Sequence, residues 1–61
     1  MRTERKVVTL LKEEELTINE IAKYLMIPTG KLFHTLKELE IAGVVMQKQR
    51  NNRTIFYINF R

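Results

Sequence analysis

Cysteine and tryptophan are absent from this chain, proline occurs once, at Pro28, and histidine once, at His34. Without cysteine, neither a disulfide nor a thiolate metal site can reinforce the fold, which fits a reducing compartment. A lone histidine with no second His or Cys beside it forms no ligand cluster, so no metal or other cofactor is expected. No stretch approaches the roughly 20 consecutive apolar residues of a membrane span, and the basic N-terminus is not followed by a signal-type apolar run. The expectation is a cytoplasmic protein with no membrane partner. Nucleophile–base pairs, paired catalytic carboxylates and a phosphate-binding glycine loop are also missing, which argues against an enzyme.

What is present is one domain, residues 1–61, with a thin core: a chain this short buries only about 60% of the surface it exposes when unfolded. Association is then the remaining stabiliser, and a hydrophobic fraction of 44% leaves apolar surface for it. Net charge is +4, which suggests an anionic partner, and its distribution says more. Residues 1–27 balance Arg2, Arg5, Lys6, Lys12 and Lys23 against Glu4, Glu13, Glu14, Glu15 and Glu20. Residues 28–61 set Lys31, Lys37, Lys48, Arg50, Arg53 and Arg61 against only Glu38 and Glu40, so the whole excess lies there.

Apolar periodicity predicts helices over about 3–14, 17–26 and 29–42, and alternation predicts strands over about 45–49 and 54–60. In the first helix Val7, Leu10 and Leu11 share a side and Val8 falls outside it, either as a surface valine or as a subunit contact. The Glu13–Glu15 run sits where the helix macrodipole disfavours anions and helps the helix stop. Being solvated and acidic, it is expected to point away from the anionic partner. Leu16 reads as a short extended link. Thr17-Ile18-Asn19-Glu20 has capping-box spacing and starts the second helix, which buries Ile21, Ala22 and Leu25. Met26 and Ile27 make a tight turn, and Pro28, with its fixed φ, suits the first position of the third helix. Two short helices joined in this way form a helix-turn-helix.

Leu32, Leu36 and Leu39 form the buried stripe of that third helix, while Thr29, Lys31, Phe33, His34 and Lys37 lie opposite. A helix that opens with Pro28-Thr29-Gly30 and then shows cations and hydrogen-bonding groups suits a DNA major groove. Gly43 ends it as a C′ residue. Asn51-Asn52, between Arg50 and Arg53, suits a hairpin tip because asparagine tolerates the left-handed conformation. In the second strand Phe56, Ile58 and Phe60 alternate with Ile55, Tyr57 and Asn59, so both faces are partly apolar.

Helix, capped helix, turn, a helix carrying L-x-x-L-E-x-A-G-V-V and a basic hairpin together resemble the winged helix-turn-helix domains of the ArsR/MarR-like transcriptional regulators of bacteria and archaea. The resemblance runs from about Thr17 to Asn59. Gly30-Lys31-Leu32, Leu36 to Glu40, Ala42 to Val45 and Phe56 to Asn59 carry it. It implies an α+β fold of three helices followed by a two-stranded β-hairpin wing. It further implies that Thr29, Gly30, Lys31, Phe33 and His34 face the major groove, that Lys37 contacts phosphate, and that Arg50, Asn51, Asn52 and Arg53 lie over the minor groove or backbone. Met26 stands where the family usually has glycine, which implies a slightly different turn backbone. Phe33 replaces a frequent small polar residue; thymine-methyl contact, dimer packing and plain exposure are all open for it. No small-molecule effector is evident, and with the sequence stopping after the wing no C-terminal dimerisation helix is expected.

The expected function is sequence-specific binding of double-stranded DNA by a small transcriptional regulator that occupies an operator as a homodimer. Lys37, Lys48, Arg50 and Arg53 would supply salt-sensitive phosphate contacts, and residues 29–34 would read base edges. Val8, Ile55, Tyr57 and Phe60 are the expected dimer surface, as apolar groups a monomer would leave wet, with the first helix favoured. Among alternatives, a Z-DNA-binding winged helix expects a tryptophan and wing prolines that this chain lacks. A protein-interaction winged helix of a transcription or replication assembly expects a charge-neutral third helix, at odds with Lys31 and Lys37.

Overall fold

Val7 and Leu11, four residues apart, fall on one stripe and are buried, which fixes how the first helix packs. In the computed structural model, which describes residues 2–60 apart from the side chain of Arg2, this helix is α1 (Arg2–Glu13). It starts and stops one residue earlier than the periodicity predicts. The next helix, α2 (Ile18–Leu25), has Thr17 as its N-cap rather than its first residue. The capping box is complete: the Glu20 N–H donates to Thr17 Oγ1 at 3.2 Å, and the Thr17 N–H donates to Glu20 Oε1 at 2.8 Å.

The third helix, α3 (Thr29–Ile41), has Pro28 as its N-cap, with ψ at 143°, one position before the place expected for it. Pro28 still serves the helix, because its carbonyl accepts the Leu32 N–H at 3.1 Å. At the far end Gly43 adopts φ 79°, and two bonds close the turn: Gly43 N–H to the Glu40 carbonyl and Val44 N–H to the Leu39 carbonyl, both 2.9 Å. This left-handed closure is the one glycine makes without a Cβ penalty.

The turn between α2 and α3 closes in the same way on a residue less suited to it. Met26 sits at φ 57°, ψ 44°, and the Ile27 N–H reaches the Ala22 carbonyl at 3.2 Å. Methionine here adopts the left-handed conformation that a glycine would favour, at a steric cost. Its side chain gains no burial in exchange, being 89% exposed.

Strands β1 (Val45–Arg50) and β2 (Arg53–Ile58) pair antiparallel from Val45↔Ile58 to Arg50↔Arg53. Asn51 and Asn52 have φ 51° and 64°, the two consecutive left-handed residues of a type I′ turn whose twist matches the strands. The tip is as expected, but Arg50 and Arg53 belong to the ladder. At the other end β2 stops at Ile58 rather than residue 60, although the Asn59 N–H still reaches the Val44 carbonyl, one rung further in register, at 2.9 Å, and Asn59 Nδ2 donates to the Gly43 carbonyl at 3.1 Å.

Leu16 is more than a link. It exchanges two backbone hydrogen bonds with Phe56, at 3.2 and 2.7 Å, and so adds an isolated antiparallel bridge beside β2. Leu16 and Phe56 enter the core with Val7, Leu11, Ile21, Leu32, Leu36, Leu39, Val45 and Ile58. The wing is thus tied to the helices by backbone pairing as well as by apolar packing.

The sheet's outer face corrects the expected wet surface. Ile55 is only 7% exposed although it lies outside the helical core. It stands opposite Lys48 and next to the residue that bridges Leu16, on the face of the sheet where Lys48 meets Glu15. Val8 is half-buried against the core and Tyr57 is half-buried. Of the four residues expected to be left wet, only Phe60, at 74%, stands well clear.

Candidate nucleic-acid interface

Because Leu32, Thr35, Leu36 and Leu39 are buried, the helical period turns Gly30, His34 and Lys37 outward along α3, with Phe33 on one flank and Lys31 on the other. Thr29, Gly30, Lys31, Phe33, His34 and Lys37 are all exposed, as expected. Thr35 explains how a polar residue joins the buried stripe: its hydroxyl donates to the Lys31 carbonyl at 3.3 Å.

Phe33 organises its neighbours. The Lys37 ammonium lies 5.5 Å from its ring centroid, and the His34 ring meets it edge-on, with centroids 6.4 Å apart and planes at 76°. Phe33 is 55% exposed and lines a groove with Thr17, Asn19 and Glu20 at the start of α2 and with Gln47, Arg53 and Thr54 of the wing. It is therefore on the flank of α3 that faces the wing. Across this region Gln47 Nε2 donates to Glu40 Oε2 at 2.6 Å, which couples β1 to the end of α3.

The charges of α3 need one refinement. Counted whole, Thr29–Ile41 holds two lysines and two glutamates and is neutral. The charges are segregated, however: Lys31 and Lys37 precede Glu38 and Glu40, and Glu40 is engaged by Gln47. Among the described residues no carboxylate pairs with either lysine. Ile41, 84% exposed, continues the outward stripe beyond Lys37.

The wing cations are arranged differently. Lys48 Nζ lies 2.8 Å and Arg50 Nη2 3.1 Å from the same oxygen, Oε1 of Glu15. The Lys48 ammonium also stands 4.9 Å over the Tyr57 ring. One of the three members of the acidic run, Glu15, thus grips the basic hairpin. The hydrogen bond from Lys48 holds the Glu15 carboxyl below the usual glutamate range, with the attraction of Lys48 and Arg50 adding to it against a desolvation effect of opposite sign. Arg53, paired with Arg50 across the last rung, goes the other way, lining the groove beside Phe33 with no carboxylate partner among the described residues. Asn51, Asn52 and Arg53 are exposed at the tip.

Glu15, Gln47 and Ile41 are the residues that sequence reasoning missed at this site. Glu15 lies 35 positions from Arg50, and no local spacing signals such a contact. Among the described residues no three His, Cys, Asp or Glu side chains are grouped to hold a metal, and no helix is long and apolar enough to cross a membrane.

The model of one protein family, described as sugar-specific transcriptional regulator TrmB, matches residues 4–61. No curated protein matches the chain significantly. Among solved structures, the adhesin competence repressor AdcR of Streptococcus pyogenes superposes with a TM-score of 0.92 at 21% identity, over 97% of this chain and 46% of that one. The transcriptional regulator HlyU of Vibrio vulnificus gives 0.91 at 17% identity, over 98% and 62%. A homodimeric winged helix-turn-helix DNA-binding domain of Mycobacterium bovis, from a possible ArsR-family transcriptional regulator, gives 0.81 at 21% identity, over 87% and 49%. At these identities the likeness is one of fold, and the chain spans less than two thirds of each of these structures. The expected winged helix-turn-helix architecture and regulator class are thus both met, with the family match giving the affiliation: the chain belongs to the TrmB family of transcriptional regulators, as a winged helix-turn-helix DNA-binding domain.

Proposed function

We propose that this domain binds double-stranded DNA sequence-specifically and acts in the cytoplasm as a transcriptional regulator that occupies an operator as a homodimer. The observation that carries this reading is the exposed outward face of α3, where Gly30, His34 and Lys37 meet no carboxylate among the described residues, beside a hairpin tip that presents Asn51, Asn52 and Arg53. In this arrangement Lys31 and His34 read base edges, Gly30 permits close approach, and Lys37 and Arg53 contact phosphates. Phe33, on the flank facing the wing, packs against the strand that runs between the two grooves. A two-fold dimer sets its α3 helices about 34 Å apart and favours an inverted repeat.

A footprint on the DNA upstream of the protein's own gene identifies the site. Lys31→Ala and His34→Ala then lower discrimination between that site and random duplex, by roughly 1–3 kcal/mol for a good base contact. Equal loss on both duplexes would reduce α3 to an electrostatic surface. Sedimentation tests the dimer: a 7.3 kDa species that persists as concentration rises overturns it. The second reading, a protein-interaction winged helix, is favoured by the overall neutrality of α3 and by the exposed Ile41 and Met26. It predicts that the chain binds no duplex at all.

A further inference from the structure

Two cations of the wing share one carboxylate from a distant part of the chain, and the hairpin does not need that contact for its position. Leu16 and Phe56 join the wing to the body through paired backbone hydrogen bonds, and Phe56, Val45 and Ile58 bury their side chains in the core. Glu15 and Arg50 remain substantially exposed, at 40% and 56% of their side chains, and ion pairs between exposed groups add little to stability. What Glu15 does alter is charge. A carboxylate 2.8 Å from one ammonium and 3.1 Å from one guanidinium offers both the type of oxygen partner that a DNA phosphate would offer.

We propose that Glu15 is an internal counterion of the wing, which a DNA phosphate must displace before Lys48 and Arg50 contribute to binding. This rests on the DNA-binding reading and adds a determinant of selectivity to it. A duplex that merely brushes the surface meets Lys31, Lys37 and Arg53 and gains little from the wing base. A duplex seated on α3 holds its backbone against the hairpin long enough for the exchange to occur. Glu15 thereby suppresses sequence-independent affinity, which comes from phosphate contacts, more than affinity for the operator. The expected acid run is recast as well: its last member acts on the DNA-facing cations through direct contact.

The test compares wild type, Glu15→Gln and Glu15→Gln combined with Lys48→Ala and Arg50→Ala, on random and footprinted duplexes across a range of salt. The amide keeps the shape of Glu15 and removes its charge. Glu15→Gln is expected to bind random duplex several-fold more tightly at low salt and to steepen the log–log salt slope by about one to two units. The combined variant returns the slope to the wild-type value or below it. Unchanged slope and affinity in Glu15→Gln overturn the proposal, and so does weaker binding, which would make Glu15 a strut that orients the wing. Carboxyl NMR of the free protein gives an independent readout. Glu15 titrates below the ordinary glutamate range in wild type and returns to it in Lys48→Ala/Arg50→Ala; a titration that ignores those two substitutions overturns the contact itself. Wild type that binds no duplex removes the DNA-binding reading and this proposal together, whereas binding that ignores Glu15 removes the proposal alone.

Discussion

Lys31 and Lys37 stand on α3 with no carboxylate partner among the described residues, whereas Lys48 and Arg50, 2.8 and 3.1 Å from Glu15, share one carboxylate that offsets part of their charge. A charge count treats the four alike. The fold does not: α3 is placed by Leu32, Leu36 and Leu39 beneath it, which leaves its outer face free. The wing is placed by the Leu16–Phe56 bridge, and that bridge is what brings the neighbouring Glu15 over the sheet. Which cations of a basic segment meet a carboxylate within the chain thus depends on which strand pairs beside it. The third cation of the hairpin, Arg53, lies on the groove side with no carboxylate partner among the described residues.

The strongest way to break this contrast is to detach the wing. Phe56 is 7% exposed and joins the bridge to the core, so Phe56→Ala is expected to destabilise the domain by about 3–5 kcal/mol. Thermal or urea unfolding checks this. A loss under about 1 kcal/mol, well below the cost of truncating a packed aromatic, would mean that Phe56 does not anchor the hairpin.

The helix side is sharpened by the turn that aims it. Gly43 and Met26 both close a helix in the left-handed region, but only glycine does so without a Cβ clash. Met26→Gly is therefore expected to stabilise the domain by about 1 kcal/mol, since the side chain it removes is exposed. Urea midpoints measure it, and destabilisation would show that the methionine side chain makes a contact that matters.

A smaller effect separates the two arginines of the wing. Arg53→Ala is expected to flatten the salt dependence of duplex binding by about 0.9 in log–log slope, the value for one lost phosphate contact. Arg50→Ala flattens it less, because Glu15 already offsets part of the charge that Arg50 carries. Equal changes in titrations of the two variants would erase the distinction between held and free cations.

Much of the fold was legible because its signals are local. The Thr17–Glu20 capping box spans one helical turn, Gly43 marks a chain reversal by itself, and Asn51-Asn52 carries its turn type in two residues. The outward face of α3 followed from the spacing of three leucines. What was not legible depends on partners far along the chain. Leu16 reads as a link until Phe56 pairs with it, 40 positions later, and only then do the burial of Ile55 and the reach of Glu15 to Lys48 follow. Met26 is a different case: residue preference does not point to a left-handed position at methionine, yet its φ is 57°. The neutrality of α3 was available in the sequence, yet its significance lay in where along the helix each sign falls.

Amide chemical-shift mapping during titration with the footprinted duplex tests whether the outer face of α3 and the hairpin tip form one DNA-binding surface. The predicted result is that the largest changes fall on residues 29–37 and 51–54, with smaller ones at Glu15 and its neighbours as the carboxylate is displaced. Changes confined to α1, Met46, Tyr57 and Phe60, with residues 29–37 unmoved, would contradict it.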